Sequence, residues 1–385
     1  MRSKPFFLAW RILAHDKART GLAIAGIFIA ILLVFVEIGL YVAIPRGGLL
    51  LYHRLRFDLL MTSRDYEYVT QPGEFPAQLL DRARAVPEVA RATPLYFGSA
   101  KWKSLAGGVE PDLFVIGFPP TGGIFSVAGI ESRIGALEKP DTVLMDSATR
   151  PMFGPLTKGR RVEIAGRKET IAGKYRLGTG FLGLGVALAS AENFVRLFPG
   201  RGVGDANIGL LRLRSGADPE LAAAELRARL GGEVRIFTRP QLEAHEIAYW
   251  TIRTSVGLIF GSGLVVSLVV GIMIVFQTLS IEIGRRLGEF AMLKAIGYAD
   301  GALAAVVLGM SLAIVLIAFV PATGAALLVY RLIRTQTLLP AAMSELQLAA
   351  VLGAALAMAA VSAGLALSGL GRANPAELIK RGQRF

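Results

Sequence analysis

Three histidines, His15, His53 and His245, are the first candidates for metal ligation or proton transfer in this 385-residue chain. They stand far apart, none belongs to an HExxH pair, and the chain has no cysteine. Thiolate-bound zinc, CxxC redox chemistry and disulfides are therefore excluded. Nucleotide chemistry needs a glycine loop that opens a helix. The one Gly-Lys pair, Gly173–Lys174, is followed by Tyr175 rather than Ser or Thr, so no Walker A loop exists. LGTGFLGLG (177–185) spells a formal GxGxxG. A dinucleotide site requires a helix N-terminus at those glycines, and the strand-like VALAS follows instead. The stretch reads as an external loop. Carboxylates are plentiful between residues 46 and 253, but no spacing marks a catalytic pair. The sequence thus gives no catalytic residue, no metal site and no cofactor, and predicts a non-catalytic protein.

The most structured charge pattern lies elsewhere, in IEIGRRLGEFAMLKAIGYAD (281–300). On a helical wheel Ile283, Leu287, Phe290 and Ala291 share one side. Glu282, Arg285, Arg286 and Glu289 gather on the other, where Glu282–Arg286 and Arg285–Glu289 are i,i+4 pairs. Gly297 is placed to end the helix. Taken alone, these residues leave two roles open. The helix docks in a groove of another protein, or it rests on lipid headgroups with its apolar side inward.

What positions this segment is a set of apolar runs. The chain is 53% hydrophobic and only 18% charged, with a mean hydropathy of +0.53, which is too apolar for a soluble protein of this length. Four stretches reach the roughly 20 residues a bilayer requires. The predicted order is a cytoplasmic amphipathic segment (1–19), transmembrane helix 1 (20–45), an external domain (46–253) and helix 2 (254–280). The charged segment (281–300), helix 3 (301–330), a short loop (331–345), helix 4 (346–371) and a tail (372–385) complete it. The first run has a long apolar core and no A-x-A site, so it reads as an uncleaved anchor. Basic residues flank one side: Arg2, Lys4, Arg11, Lys17 and Arg19 before the first span, then Arg285, Arg286 and Lys294, and Arg372, Lys380, Arg381 and Arg384 at the end. The positive-inside rule puts both termini and the charged segment in the cytoplasm. The net charge of +13 is scattered and has no nucleic-acid motif with it, so no nucleic-acid partner is expected.

The external domain shows strand–helix–strand order at both ends: 57–63, 76–86 and 89–97, then 207–214, 219–230 and 233–237. Strands at 112–118 and 141–146 and a hairpin over 161–175 fill the middle. This predicts an α+β domain with two halves around a β-rich insertion. Residues 241–256 keep helical character up to the second span, as either a stiff strut or a plain tether. Gly257 and Gly261 form a GxxxG, and Ala349, Gly353 and Ala357 a small-residue stripe. Both allow close helix packing, within one chain or in a homodimer through span two. Glu37 is the one acid inside a span, near its outer boundary by helical rise. Pro321 is expected to kink span three.

The order of these parts resembles the FtsX/MacB-like (type VII) permeases of ABC transporters. RRLGEFAMLKAIGY (285–298) is similar to that family's signature after the second span, keeping Glu289, Leu293, Lys294, Ala295 and Gly297. Pro375, Ala376, Glu377 and Leu378 match its C-terminal element. YFGSAKWK (96–103), FVIGFPP (114–120), DSATRPMFGP (146–155) and TLLPAAM (337–343) look like the DevC branch, permeases for glycolipid export. The resemblance implies an α-helical membrane protein of the bacterial inner membrane. It would have four transmembrane helices and a large α+β periplasmic domain, of the MacB-like core type, between helices 1 and 2. It implies a separate ATPase subunit contacted by Arg285, Arg286, Leu287, Glu289, Phe290, Leu293, Lys294 and Gly297. A periplasmic adaptor (membrane fusion protein), an outer-membrane channel, a homodimer packed at Gly257 and Gly261, and a lipid or amphiphilic cargo complete the expectation. Two alternatives keep the architecture: an FtsX-like mechanotransmission protein regulating a cell-wall hydrolase, and a lipoprotein-release permease.

Overall fold

The computed structural model describes residues 17–103, 110–178, 180, 182–285, 288, 292, 300–337 and 339–371. Among them, four helices are long and apolar enough to cross a membrane: α1 (Lys17–Arg54), α7 (Ser255–Arg285), α8 (Asp300–Thr337) and α9 (Glu345–Gly371). A mixed α+β domain lies between α1 and α7 in the chain. Contacts divide the molecule into a helical unit and a domain unit, the latter Ile44–Thr254 with Thr337–Pro340.

In chain order the domain contains β1 (Leu59–Ser63), β2 (Phe75–Pro76), α2 (Gln78–Arg84), β3 (Val89–Lys103), β4 (Asp112–Phe118) and the short α3 (Ala128–Glu131). There follow β5 (Thr142–Asp146), β6 (Arg161–Ile164), β7 (Arg167–Tyr175), β8 (Val186–Ser190), α4 (Ala191–Leu197) and β9 (Asp205–Ala206). Then come β10 (Ile208–Leu213), α5 (Pro219–Leu230), β11 (Val234–Thr238) and α6 (Arg239–Ala248). Nine strands form one sheet in the order β11-β1-β10-β3-β4-β8-β5-β7-β6. The first half of β3 pairs with β10, and Tyr96–Lys101 pair with β4. Trp102 and Lys103 reach β6, closing the last six strands into a ring. A long strand can serve two neighbours in succession because its backbone donors and acceptors continue past the end of the first partner.

β1 is buried along its whole length because both faces of the sheet are covered. Leu59 and Met61 face the side packed by Leu79, Leu80 and Ala83 of α2 and Leu226 and Leu230 of α5. Leu60 faces the opposite side, with Leu242 of α6, Leu51 and Tyr52 of α1, and Leu55 just after α1. The period of two along a strand produces that division. In the β6–β7 hairpin, Ala165 and Gly166 both have positive φ (53° and 76°). Two such central residues match the twist of the strands they join.

Two features differ from the sequence expectation. Residues 241–256 are not one helix: α6 ends at Ala248, a π turn covers Tyr249–Arg253, and Thr254 is extended (φ −103°, ψ 156°) before α7 begins. The Thr251 and Thr254 hydroxyls donate back to the carbonyls of Ile247 and Trp250, at 2.7 and 2.8 Å. Such back-bonding by β-branched residues loosens a helix without any Gly or Pro to announce it. Helicity also runs on through Pro45 to Arg54 and past residue 330 to Thr337, into stretches read as domain and loop.

The helical unit is held by small residues and by hydroxyl-to-backbone bonds. A Cβ on Gly26 of α1 would stand 3.1 Å from Ile274 of α7. One on Gly271 of α7 would meet Ala30 of α1 at 3.3 Å and press on the Met358 sulfur of α9. The Ser362 hydroxyl of α9 donates to Ile272 O at 3.0 Å, and Ser311 of α8 donates to Ala359 O of α9 at 2.8 Å. Tyr330 of α8 donates to Phe35 O of α1 at 2.5 Å. Each helix therefore touches two others, around a core that includes Ile31, Val34, Val275, Met310, Ala318 and Ala359.

Candidate functional site

Of the residues expected to couple to an ATPase, only Arg285 is described. It closes α7 and is exposed. Arg286, Leu287, Glu289, Phe290, Leu293, Lys294 and Gly297 lie outside the described residues, while Gly288 and Met292 have helical backbone and are exposed. The two glycines expected at a dimer seam differ from each other. Gly257 is buried within the chain, whereas a Cβ on Gly261 would meet nothing within 4 Å. Around Gly261, Leu258, Ile259, Val265, Val266 and Val269 are exposed.

The charged site that sequence reading missed is at the membrane-connected end of the domain, where the last turns of α1 meet α6. Glu246 of α6 is fully buried. The Tyr66 hydroxyl, from the loop after β1, donates to its carboxyl. Tyr66 has one proton to give, so Tyr52 of α1 completes the chain by donating to Tyr66 across 2.6 Å. Burial pushes the Glu246 carboxyl up to about 7, against opposing hydrogen bonds from Tyr66, the Trp250 indole and Val69 N–H. Burial also raises Tyr66 well above the usual tyrosine range. The α1 backbone comes so close that a Cβ on Gly48 would lie 2.7 Å from the Trp250 indole nitrogen and 3.3 Å from a Glu246 oxygen. Here the absence of a side chain is what permits the approach.

Further ties join the same elements. Arg239, opening α6, donates to Phe57 O and Leu55 O, both at 2.9 Å, with its guanidinium over the Phe57 ring. His53 Nε2 lies 3.1 Å from Glu243. Tyr68 stacks on Tyr249 at 4.6 Å, and Trp250 stands edge-on to Tyr68. The chain's entry into the domain and its exit are thus bonded to each other. Chemically this is a mechanical joint, with a neutral or singly charged carboxyl at its centre.

The glycine loop at 177–185 has a structural explanation. Burial pushes Asp146 of β5 upward, opposed by N–H donors from Ala148, Gly178 and Leu177. The last two bonds, 2.7 and 3.3 Å, pin the start of the loop to this carboxylate, and VALAS forms β8 as expected. Glu37 sits on a bare stretch of α7, where a Cβ on Gly263 would come within 2.6 Å of its carboxyl. Among the described residues, no group of three or more His, Cys, Asp or Glu side chains is placed to hold a metal.

Residues 261–375 match the family model described as FtsX-like permease C-terminal. The segment covers α8, α9, most of α7 and the charged stretch between α7 and α8. Over that segment the chain is similar to the FtsX-like permeases. Its four long apolar helices mark it as a multi-pass membrane protein. Solved structures similar to the domain include the periplasmic region of MacB from Actinobacillus actinomycetemcomitans, at 10% identity and TM-score 0.34, covering 48% of this chain and 90% of that one. The extracellular domain of the noncanonic ABC-type transporter YknZ from Gram-positive bacteria is 13% identical, with TM-score 0.33, covering 47% and 99%. A domain of a putative permease from Porphyromonas gingivalis is 18% identical, with TM-score 0.30, covering 46% and 87%. No curated protein matches the chain.

Proposed function

We propose that this chain is the permease subunit of a tripartite exporter. In this reading a separate ATPase drives segment 281–300, and the motion reaches a periplasmic domain that moves a glycolipid or similar amphiphile. The observation that carries the reading is the family match over 261–375, which includes the charged segment together with three of the four membrane helices. Arg285, Arg286, Leu287, Glu289, Phe290, Leu293, Lys294 and Gly297 form the ATPase contact. Both termini face the cytoplasm, as the basic flanks require. An adaptor and an outer-membrane channel complete the path, and two copies associate along the exposed face of α7 around Gly261. The joint at Glu246 fits this role, because a domain moved from below needs its two connections to act as one. The DevC-like motifs favour amphiphile export over hydrolase regulation or lipoprotein release. The deciding experiment is co-expression with a candidate ABC ATPase and a candidate membrane fusion protein from the same genome. Co-purification of all three, with lipid appearing outside only when the ATPase is active, is the expected result. A complex containing a cell-wall hydrolase and no adaptor would replace export with mechanical regulation.

A further inference from the structure

A groove of about 410 Å³ opens beside β11, lined by Arg227, Arg235, Gln241 and His245 together with Val234, Ile236 and Phe237. Its polar lining is one-sided: two guanidiniums, an imidazole and an amide, with no carboxylate. The nearest acid in this network, Glu220, is turned away onto Thr238 and Gln241, at 3.0 and 2.8 Å. Neighbouring arginines are neutralised, Arg229 by Glu225 at 2.6 Å and Arg82 by Glu233 at 3.9 Å. Among the described residues, Arg227 and Arg235 have no such carboxylate partner.

Both are nevertheless held in place. Arg227 donates through Nε and Nη2 to Ile236 O, and through Nη2 to Gln241 at 2.6 Å. Arg235 donates one N–H to Tyr66 O at 3.2 Å. A guanidinium has five N–H donors, so each keeps donors for a ligand. His245 Nε2 lies 3.0 Å from Glu67 O; a carbonyl only accepts, so the proton is on Nε2 and Nδ1 is left as an acceptor that takes no part in holding an anion. Burial lowers the His245 pKa, aided by Arg235 and Arg253 and opposed by the Glu67 carbonyl. Positive charge is thus concentrated here without compensation, and an anion would relieve it.

We propose that this groove binds the anionic head of an amphiphile, with a phosphate or carboxylate on Arg227 and Arg235 and apolar atoms along the half-buried Phe237. Paired arginines suit the planar, multidentate recognition of such oxygens. The volume fits a headgroup and the start of its apolar part, within the usual range for small-molecule sites. The assignment concerns binding alone. It does not depend on coupling to an ATPase, and its failure would leave the exporter reading intact.

The test is calorimetric titration of the purified full chain, in neutral detergent, with short-chain phosphatidylglycerol, the matching phosphatidylcholine and inorganic phosphate. Phosphatidylglycerol should bind and phosphatidylcholine should not, and inorganic phosphate should bind more weakly because it lacks the apolar part. Arg227→Gln with Arg235→Gln should weaken phosphatidylglycerol about tenfold or more, since each removes a charge-assisted contact. Arg229→Gln, at an ion-paired arginine outside the groove, should leave affinity unchanged. Circular dichroism and gel filtration check the fold. If the pair fails to fold, Arg235→Gln alone, at an exposed side chain, should still weaken binding about threefold. Full affinity in these folded variants, equal binding of phosphatidylcholine, or inorganic phosphate binding as tightly as phosphatidylglycerol would each overturn the proposal.

Discussion

The Tyr66 hydroxyl donates to the buried carboxyl of Glu246, and that bond joins the loop after β1 to the helix by which the chain leaves the domain. Tyr52 on α1 extends it to the helix by which the chain enters. A buried, hydrogen-bonded carboxyl is a poor source of net stability, because desolvation offsets much of what the bonds contribute. Its directional bonds do fix the mutual geometry of three segments that a purely apolar contact would let slide.

The joint makes stability depend on pH in a definite direction. Glu246 and Glu169 are both raised from 4.5 to about 7, chiefly by burial, with Asp141 adding to the effect at Glu169. As pH rises between those values, the unfolded chain ionises first while the folded chain still holds its protons. Stability therefore falls across that window and levels off above it. The loss at each carboxyl has a ceiling of about 3 kcal/mol. Thermal unfolding of the full chain in detergent should show Tm falling through this range. Glu246→Gln should remove about half of the fall, and Glu169→Gln most of the remainder. An unchanged slope in both variants would show that neither carboxyl controls it.

Gly271 and Gly261 separate packing within the chain from association between chains. Gly271→Leu drives a side chain into Ala30 and Met358, and overpacking of this kind typically costs about 1–3 kcal/mol. It should lower Tm whatever the oligomeric state. Gly261→Leu enters open space and should leave Tm unchanged while weakening the dimer in cross-linking or mass photometry. A dimer unaffected by Gly261→Leu would move the seam elsewhere.

The spans were legible because long apolar runs have few alternatives, and the domain's helices and strands because their periods are regular. DLFVIGF (112–118) is β4, and PELAAAELRARL is α5, opened by Asp218 and Pro219. What escaped depends on partners distant in sequence. YFGSAKWK continues β3 only because β4 and β6 are there to receive its backbone. Glu246 looked like one more polar residue of an amphipathic helix, since nothing local announces that Tyr66 lies opposite. The break at Thr254 was hidden because no Gly or Pro marks it.

Topology can be read with single cysteines, because the chain has none of its own. Ser215→Cys, exposed in the domain, should react with an impermeant thiol reagent in cells with a permeabilised outer membrane. Gly288→Cys, also exposed, should react only after the inner membrane is opened. The opposite pattern would reverse the orientation and remove the coupling segment from any cytoplasmic ATPase.

The coupling segment itself is tested by contrasting its two sides. Phe290 is on the apolar side of the pattern and Arg285 on the polar side. If the apolar side fills a groove on the ATPase, Phe290→Asp loses the ring's burial, roughly 1.5–3 kcal/mol, and puts an uncompensated charge in its place. The ATPase should then fail to co-purify, or hydrolyse ATP without export. Arg285→Glu should matter less, because an exposed ion pair is typically worth under about 1 kcal/mol. Arg285 is the last, exposed residue of α7 and Phe290 lies beyond it, so the apolar core of each span is unchanged and both variants should insert at the level of the unmodified chain. Insertion, co-purification and transport-linked ATP turnover would be measured for each. A Phe290→Asp chain that inserts, holds the ATPase and exports normally would show that the segment rests on headgroups and transmits nothing.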